Sequence, residues 1–208
     1  MNQEQAKVRI GTLYARLQAA ALTGENAVRI ALRRDETHYY EMVFDGANEP
    51  EPVLHSTVEE KEPHIAATVF CSKPEVRTWI LSAPVNARQA SDELSTLVAS
   101  LDDMAQIVGA TARVAKEPSP AALKKALRGR NACLLKDEGM LVTGRTENEA
   151  FTTAMLLEKA CRTYLLGKKL GGVKRVPILA ALLMHVVYQK KYSVINLTEE
   201  AKRGEQNA

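Results

Sequence analysis

The stretch from Arg130 to Thr146, continuing through Glu149-Ala150-Phe151 to Leu157-Glu158-Lys159-Ala160, constrains this chain most. The apolar run Asn131 to Lys136 reads as a buried strand. Lys136-Asp137-Glu138-Gly139 reads as a tight turn, with Gly139 supplying the backbone freedom that the turn needs. Gly139 to Thr143 returns as a second strand. Thr146 with Glu149 three residues later reads as a capping box that opens a helix running to about 166. Phe151, Ala154, Met155, Cys161 and Leu165 fall on its inner face. A hairpin feeding a capped amphipathic helix needs a sheet with helices stacked on it.

The rest of the chain continues that alternation. A helix is expected over 3–22, with Ile10, Leu13, Tyr14, Leu17 and Ala21 at three-four spacing and Gly24 as its stop. Strands follow at 27–32 and 38–44, then a Gly/Pro/Glu-rich loop over 45–52. Helix is expected from 60 to 71, strand from 76 to 81, helix over 86–99 and 101–108, and strand over 111–114. Ser119 and its flanking prolines open a helix to about 128. Pro177 opens a last helix to about 190 that is apolar nearly all round, with Ile178, Leu179, Leu182, Leu183, Val186 and Val187. Such a helix is either deeply buried or covered by another subunit. The element order predicts a single α/β (α+β) domain over 1–197, a sheet covered by helices, followed by a polar tail over 198–208.

Charge and composition narrow the function classes. Lys and Arg number 28 against 25 Asp and Glu, so a net charge of +3 gives no basic groove for nucleic acid. No apolar run approaches the ~20 residues that span a bilayer, and no N-terminal stretch has a signal-peptide core, so no membrane partner and a cytoplasmic location are expected. The 3 cysteines, Cys71, Cys133 and Cys161, are widely spaced and read as reduced thiols. Cys133 and Cys161 lie in apolar settings and read as packing residues. There is no GxGxxG, P-loop, GxSxG or HExxH. The histidines, His38, His55, His64 and His185, are too dispersed for a two-ligand spacing. His185 reads as a core or interface residue of the last helix. Titratable groups cluster only at Glu59-Glu60-Lys61-Glu62-Pro63-His64, which on its own reads as a solvated helix N-terminus.

Beyond these local signals, the chain resembles the class II aldolase/adducin family. The segment from Arg130 to Gly172 carries the likeness most specifically. Lys73-Pro74-Glu75-Val76-Arg77 is similar to the family's Arg-Pro-Asp-Val-Arg before its central strand. Leu101 to Gly109 is similar to its Ala-Gln-x-x-Gly segment. The resemblance implies a three-layer fold with a central, mostly antiparallel sheet. It also implies a homo-oligomer, a tetramer by family analogy. In the family's enzymes three histidines hold a divalent metal, commonly zinc, and a Glu transfers the proton. Neutral imidazoles leave the metal its charge, so that it can stabilise an enediolate as a Lewis acid.

The resemblance also locates what this chain lacks. The family's His-x-His-Pro reads Leu81-Ser82-Ala83-Pro84 here, so Leu81 and Ala83 stand at two metal-ligand positions and Glu138 at the third. Leucine and alanine side chains have no lone pair to donate. The catalytic Glu falls on Glu62. The family's Gly-Asn-x-Ser-x-Arg anion loop retains only Gly24 and Arg29, with Glu25 and Ala27 at the changed places, and Glu60 and Lys61 replace a Ser-Ser pair. Carboxylates near an anion site repel phosphate. The expectation is a non-catalytic oligomeric binding or scaffold protein with no metal and no cofactor. The alternative is a lyase of aldolase, decarboxylase or epimerase type, rebuilt around Glu62, His64 and Glu138, with zinc or another divalent metal possible there. Its ligand, a small carbonyl compound or a protein partner, is left open.

Overall fold

Alternation of inward and outward side chains along each strand builds two cores on the two faces of one sheet. The computed structural model describes residues 1–47, 49–58 and 64–192. The elements run α1 (Gln3–Ala19), β1 (Val28–Arg33), β2 (His38–Phe44), β3 (Val53–Ser56), α2 (Ile65–Ser72), β4 (Thr78–Ser82) and α3 (Val85–Glu93). They continue with β5 (Thr96–Val98), α4 (Asp102–Ile107), β6 (Thr111–Ala115), α5 (Pro120–Leu127), β7 (Ala132–Leu135), β8 (Gly139–Gly144), α6 (Glu147–Lys169) and α7 (Ile178–Val187). The strands form one 8-stranded sheet in the order β3-β2-β1-β4-β8-β7-β6-β5. Its pairs are antiparallel except β6 with β7.

One face buries Val28, Ile30, Leu32, Met42, Ile80, Leu134, Met140 and Val142 against α1, α3, α4 and α6. The other face buries Ala31, Tyr39, Trp79, Leu81, Cys133, Leu135 and Leu141 against α2 and α5. A period of two along each strand assigns neighbours to opposite layers. This is the three-layer, mostly antiparallel α/β (α+β) fold expected from the resemblance.

The hairpin that dominates the sequence forms as β7 and β8. Its turn places Asp137 at φ 63° and Gly139 at φ 102°. A Cβ on Gly139 would stand 2.5 Å from the carbonyl oxygen of Ser82, so the turn lies against the end of β4 with no room for a side chain. At the start of α6, Thr146 Oγ1 accepts from the Glu149 amide at 3.0 Å. The reciprocal bond shifts by one residue, since the Glu149 carboxylate accepts from the Arg145 amide at 2.7 Å.

Two segments differ from the sequence expectation. The helix expected over 86–99 ends at Glu93, where Leu94 is already extended at φ −114°. The β-branched Thr96 and Val98 then form β5, in register with Arg113 and Thr111. Strand β3 is not among the expected elements. It exists because Val53–Ser56 pairs with His38–Glu41 on β2, a tertiary pairing with no strong local signal. The expected helix start at 60–63 and the polar tail over 198–208 lie outside the described residues.

Cys133 and Cys161 are buried core thiols, and burial pushes the Cys133 thiol up to about 12. No described helix is long and apolar enough to cross a membrane.

Candidate functional site

The three positions that the family resemblance assigns to metal ligands sit at one end of β4 and the adjoining turn. Leu81 is the fourth residue of β4, 3% exposed, and packs in the core beneath α2 and α5. Ala83 follows at the strand end, with its amide donating to the Thr23 carbonyl at 2.9 Å and a bridge pairing it to Gly24. Glu138 sits in the β7–β8 turn and is exposed. The described geometry therefore offers one carboxylate and two hydrocarbon side chains where three imidazoles would be needed. That donor set does not fit the family's metal, because neither hydrocarbon can coordinate.

Beside Ala83 a cavity of about 480 Å³ remains open, lined by Gly24, Glu25, Asn26, Val85, Arg88 and Asp92 among others. Arg88 of α3 reaches across its edge. Its Nη1 lies 3.0 Å from Asp92 and 3.7 Å from Asp137, beside the Glu138 turn. The space persists, but its charges are arranged around a guanidinium.

The other residues singled out by sequence fall elsewhere. Arg29 of β1 is in register with Leu81 of β4, so both side chains leave the same face of the sheet. Its Nε donates to Glu41 Oε1 at 2.7 Å, and its Nη2 lies 2.8 Å from His64 Nε2. Hence Arg29 and Gly24, both from the anion-loop motif, line two different cavities. His64 precedes α2 at its N-cap and touches Tyr39 Oη through Nδ1 at 3.2 Å. It lines a cavity of about 330 Å³ with Arg29, Glu41 and His55, a group that does not include Glu138. Glu62, the family's acid/base position, lies outside the described residues, as do Glu60 and Lys61.

Sequence reading missed Glu41 and His55. Glu41 is 2% exposed in the middle of β2, and its only sequence signal is a lone charge in the strand run His-Tyr-Tyr-Glu-Met-Val-Phe. Such a residue is rarely buried unless it is paired. His55 stacks on both Tyr39 and His64, each with ring centroids 5.2 Å apart. His38, the first residue of β2, is bonded to Asp35, whose carboxyl the Thr37 amide, the His38 ring and the His38 amide hold down to about 2. His185 links α7 to α4, its Nδ1–H donating to the Gln106 carbonyl at 2.7 Å.

Known proteins share this arrangement of elements. The family model described as the Class II Aldolase and Adducin N-terminal domain matches residues 15–165. An L-fuculose 1-phosphate aldolase structure superposes with a TM-score of 0.77 at 20% identity, covering 91% of this chain and 98% of its own. The L-fuculose-1-phosphate aldolase from Thermus thermophilus gives 0.63 at 21% identity, over 77% of this chain and 95% of that one. An aldolase II superfamily protein from Pseudomonas syringae gives 0.68 at 11% identity, over 99% of this chain and 94% of that one. At such identities the likeness is one of fold. No curated protein matches the sequence closely.

Proposed function

We propose that this chain, which belongs to the class II aldolase and adducin family, has given up metal-dependent aldol chemistry and serves as an oligomeric binding or scaffold subunit. One observation carries this reading: Leu81, at a metal-ligand position, is a buried core residue rather than an unlucky substitution at an open site. Its side chain contributes ~1.5–3 kcal/mol of burial that an imidazole would forfeit in part. The site has thus been converted from coordination to packing.

The oligomeric part rests on α7. Leu179 is 79% exposed and Leu183 65%, with Ile178, Leu182, Val186 and Val187 also exposed, while Ala181 is the helix's buried residue. A contiguous apolar face of this kind marks an interaction surface. A second copy of the chain is the partner proposed for it, in a cytoplasmic setting where the thiols stay reduced.

The alternative is a lyase with a rebuilt site, and the open cavity beside Ala83 favours keeping it in view. A direct assay separates the two. Purified protein is given L-fuculose 1-phosphate, the compound named for the relatives, with and without added zinc. The proposal expects no cleavage in either case. Zinc-dependent cleavage that disappears in Glu138→Gln would overturn it.

A further inference from the structure

The cluster of Arg29, Glu41, His55 and His64 has no counterpart in the metal positions and is not explained by their loss. Glu41 is a buried carboxylate with one oxygen engaged. Oε1 accepts from Arg29 Nε, whereas Oε2 is sealed from solvent and accepts no hydrogen bond among the described residues. Oε2 lies 3.4 Å from His64 Nε2 and 4.0 Å from His55 Nε2.

Arg29 decides what His64 offers. A guanidinium has only donors. At 2.8 Å it therefore fixes His64 Nε2 as an acceptor, and the ring proton sits on Nδ1, facing Tyr39 Oη. His64 Nε2 and Glu41 Oε2 then face each other as two acceptors. Leaving a buried charged acceptor unsatisfied costs more than the ~1–3 kcal/mol of a neutral one. The position calls for a donor bearing positive charge.

The cavity above it has the same polarity. Among the described residues, its lining includes the carboxylates of Glu41, Asp45, Glu49 and Glu51 and the guanidinium of Arg29. Lys7 reaches Glu49 and Glu51 from α1, which still leaves carboxylates in excess. Val43, Pro50 and Val53 add an apolar wall within a volume of about 330 Å³. A bare metal ion has no use for that wall, and no three metal-binding side chains converge among the described residues. An ammonium group on a short carbon stem uses the carboxylates and the wall together.

We infer that this cavity binds a small alkylammonium ligand, a protonated primary amine on a short aliphatic stem, with Glu41 Oε2 as its anchoring acceptor. The His55 ring, carried on the edge strand β3, screens Oε2 and is the group that the ligand displaces. The site stands or falls independently of the family's metal chemistry, because it shares no residue with Leu81, Ala83 and Glu138.

The test is calorimetric titration of the full chain with 1,4-diaminobutane, with 1,4-butanediol as the uncharged control and zinc chloride as the metal arm. The diamine binds and the diol does not. Glu41→Gln weakens the diamine by about tenfold or more. Val43→Lys places an ammonium in the cavity from a half-exposed wall position and abolishes diamine binding with the melting temperature retained; it decides the matter if Glu41→Gln fails to fold. Absence of diamine binding at millimolar concentration would overturn the site. So would equal binding of the diol, indifference to both substitutions, or a zinc complex that depends on Glu41 while the diamine does not bind.

Discussion

Gly24 and Ala83 lie backbone to backbone, so close that a Cβ on Gly24 would overlap the Ala83 carbonyl oxygen. Gly24 is also at φ 81°, where an L side chain is strained in any case. This contact joins the loop before β1 to the end of β4, and it needs neither an anion nor a metal. Gly24→Ala is expected to cost about 2 kcal/mol or more. A denaturant melt measures it, and a loss below about 0.5 kcal/mol would show that the loop moves freely away from β4.

Glu158 of α6 caps α3 from outside. Its carboxylate accepts from the Asn86 amide at 3.0 Å, the Asn86 side-chain amide at 2.6 Å and the Ala87 amide at 2.7 Å. The N-cap of α3 is Pro84, which has no side-chain cap bond, so Glu158 satisfies amides that α3 cannot. Glu158→Ala should destabilise by ~1–3 kcal/mol and Glu158→Gln by less. Thermal melts of the pair check the order, and an unchanged alanine variant would deny the cap.

The closing hairpin and the helix after it were legible because they depend on local signals, the acidic-Gly turn, Thr146 as cap and alternating apolar strands, whereas the three-layer arrangement came from the family resemblance. Strands β3 and β5 were hidden. Val53–Ser56 and Thr96–Val98 are short, and only their partners make them strands. For the site, the sequence identified Leu81 and Ala83 as side chains without donors, and the structure adds that Leu81 is core. Glu41 and His55 could not be linked in advance. Their meeting with Arg29 and His64 comes from the register of three strands and the entry of α2.

His185 gives a pH dependence. Burial lowers its pKa from the usual histidine range, opposed by its bond to the Gln106 carbonyl. A histidine whose folded pKa is depressed contributes stability above its unfolded value near ~6.5, and that stability is lost as pH falls through the folded value. The native chain should therefore weaken between neutral and mildly acidic pH. His185→Gln should flatten that limb when denaturant midpoints are compared across it. An equal slope in both proteins would assign the dependence elsewhere.

The α7 face predicts self-association. Light scattering should give a multiple of the 22.9 kDa chain at micromolar concentration. Leu179→Glu with Leu183→Glu, both solvent-facing in one chain, should yield the single-chain mass with the fold intact. A native protein that already scatters as one chain would end this part of the proposal.

The central claim, that metal chemistry at Leu81, Ala83 and Glu138 has been lost, meets its most direct test in elemental analysis of protein purified without chelator. The native chain and Glu138→Ala are compared for zinc, manganese and iron. The account predicts no stoichiometric metal in either protein that depends on Glu138, and a stability difference within about 0.5 kcal/mol for this exposed side chain. One equivalent of metal in the native chain, absent from Glu138→Ala, would contradict it.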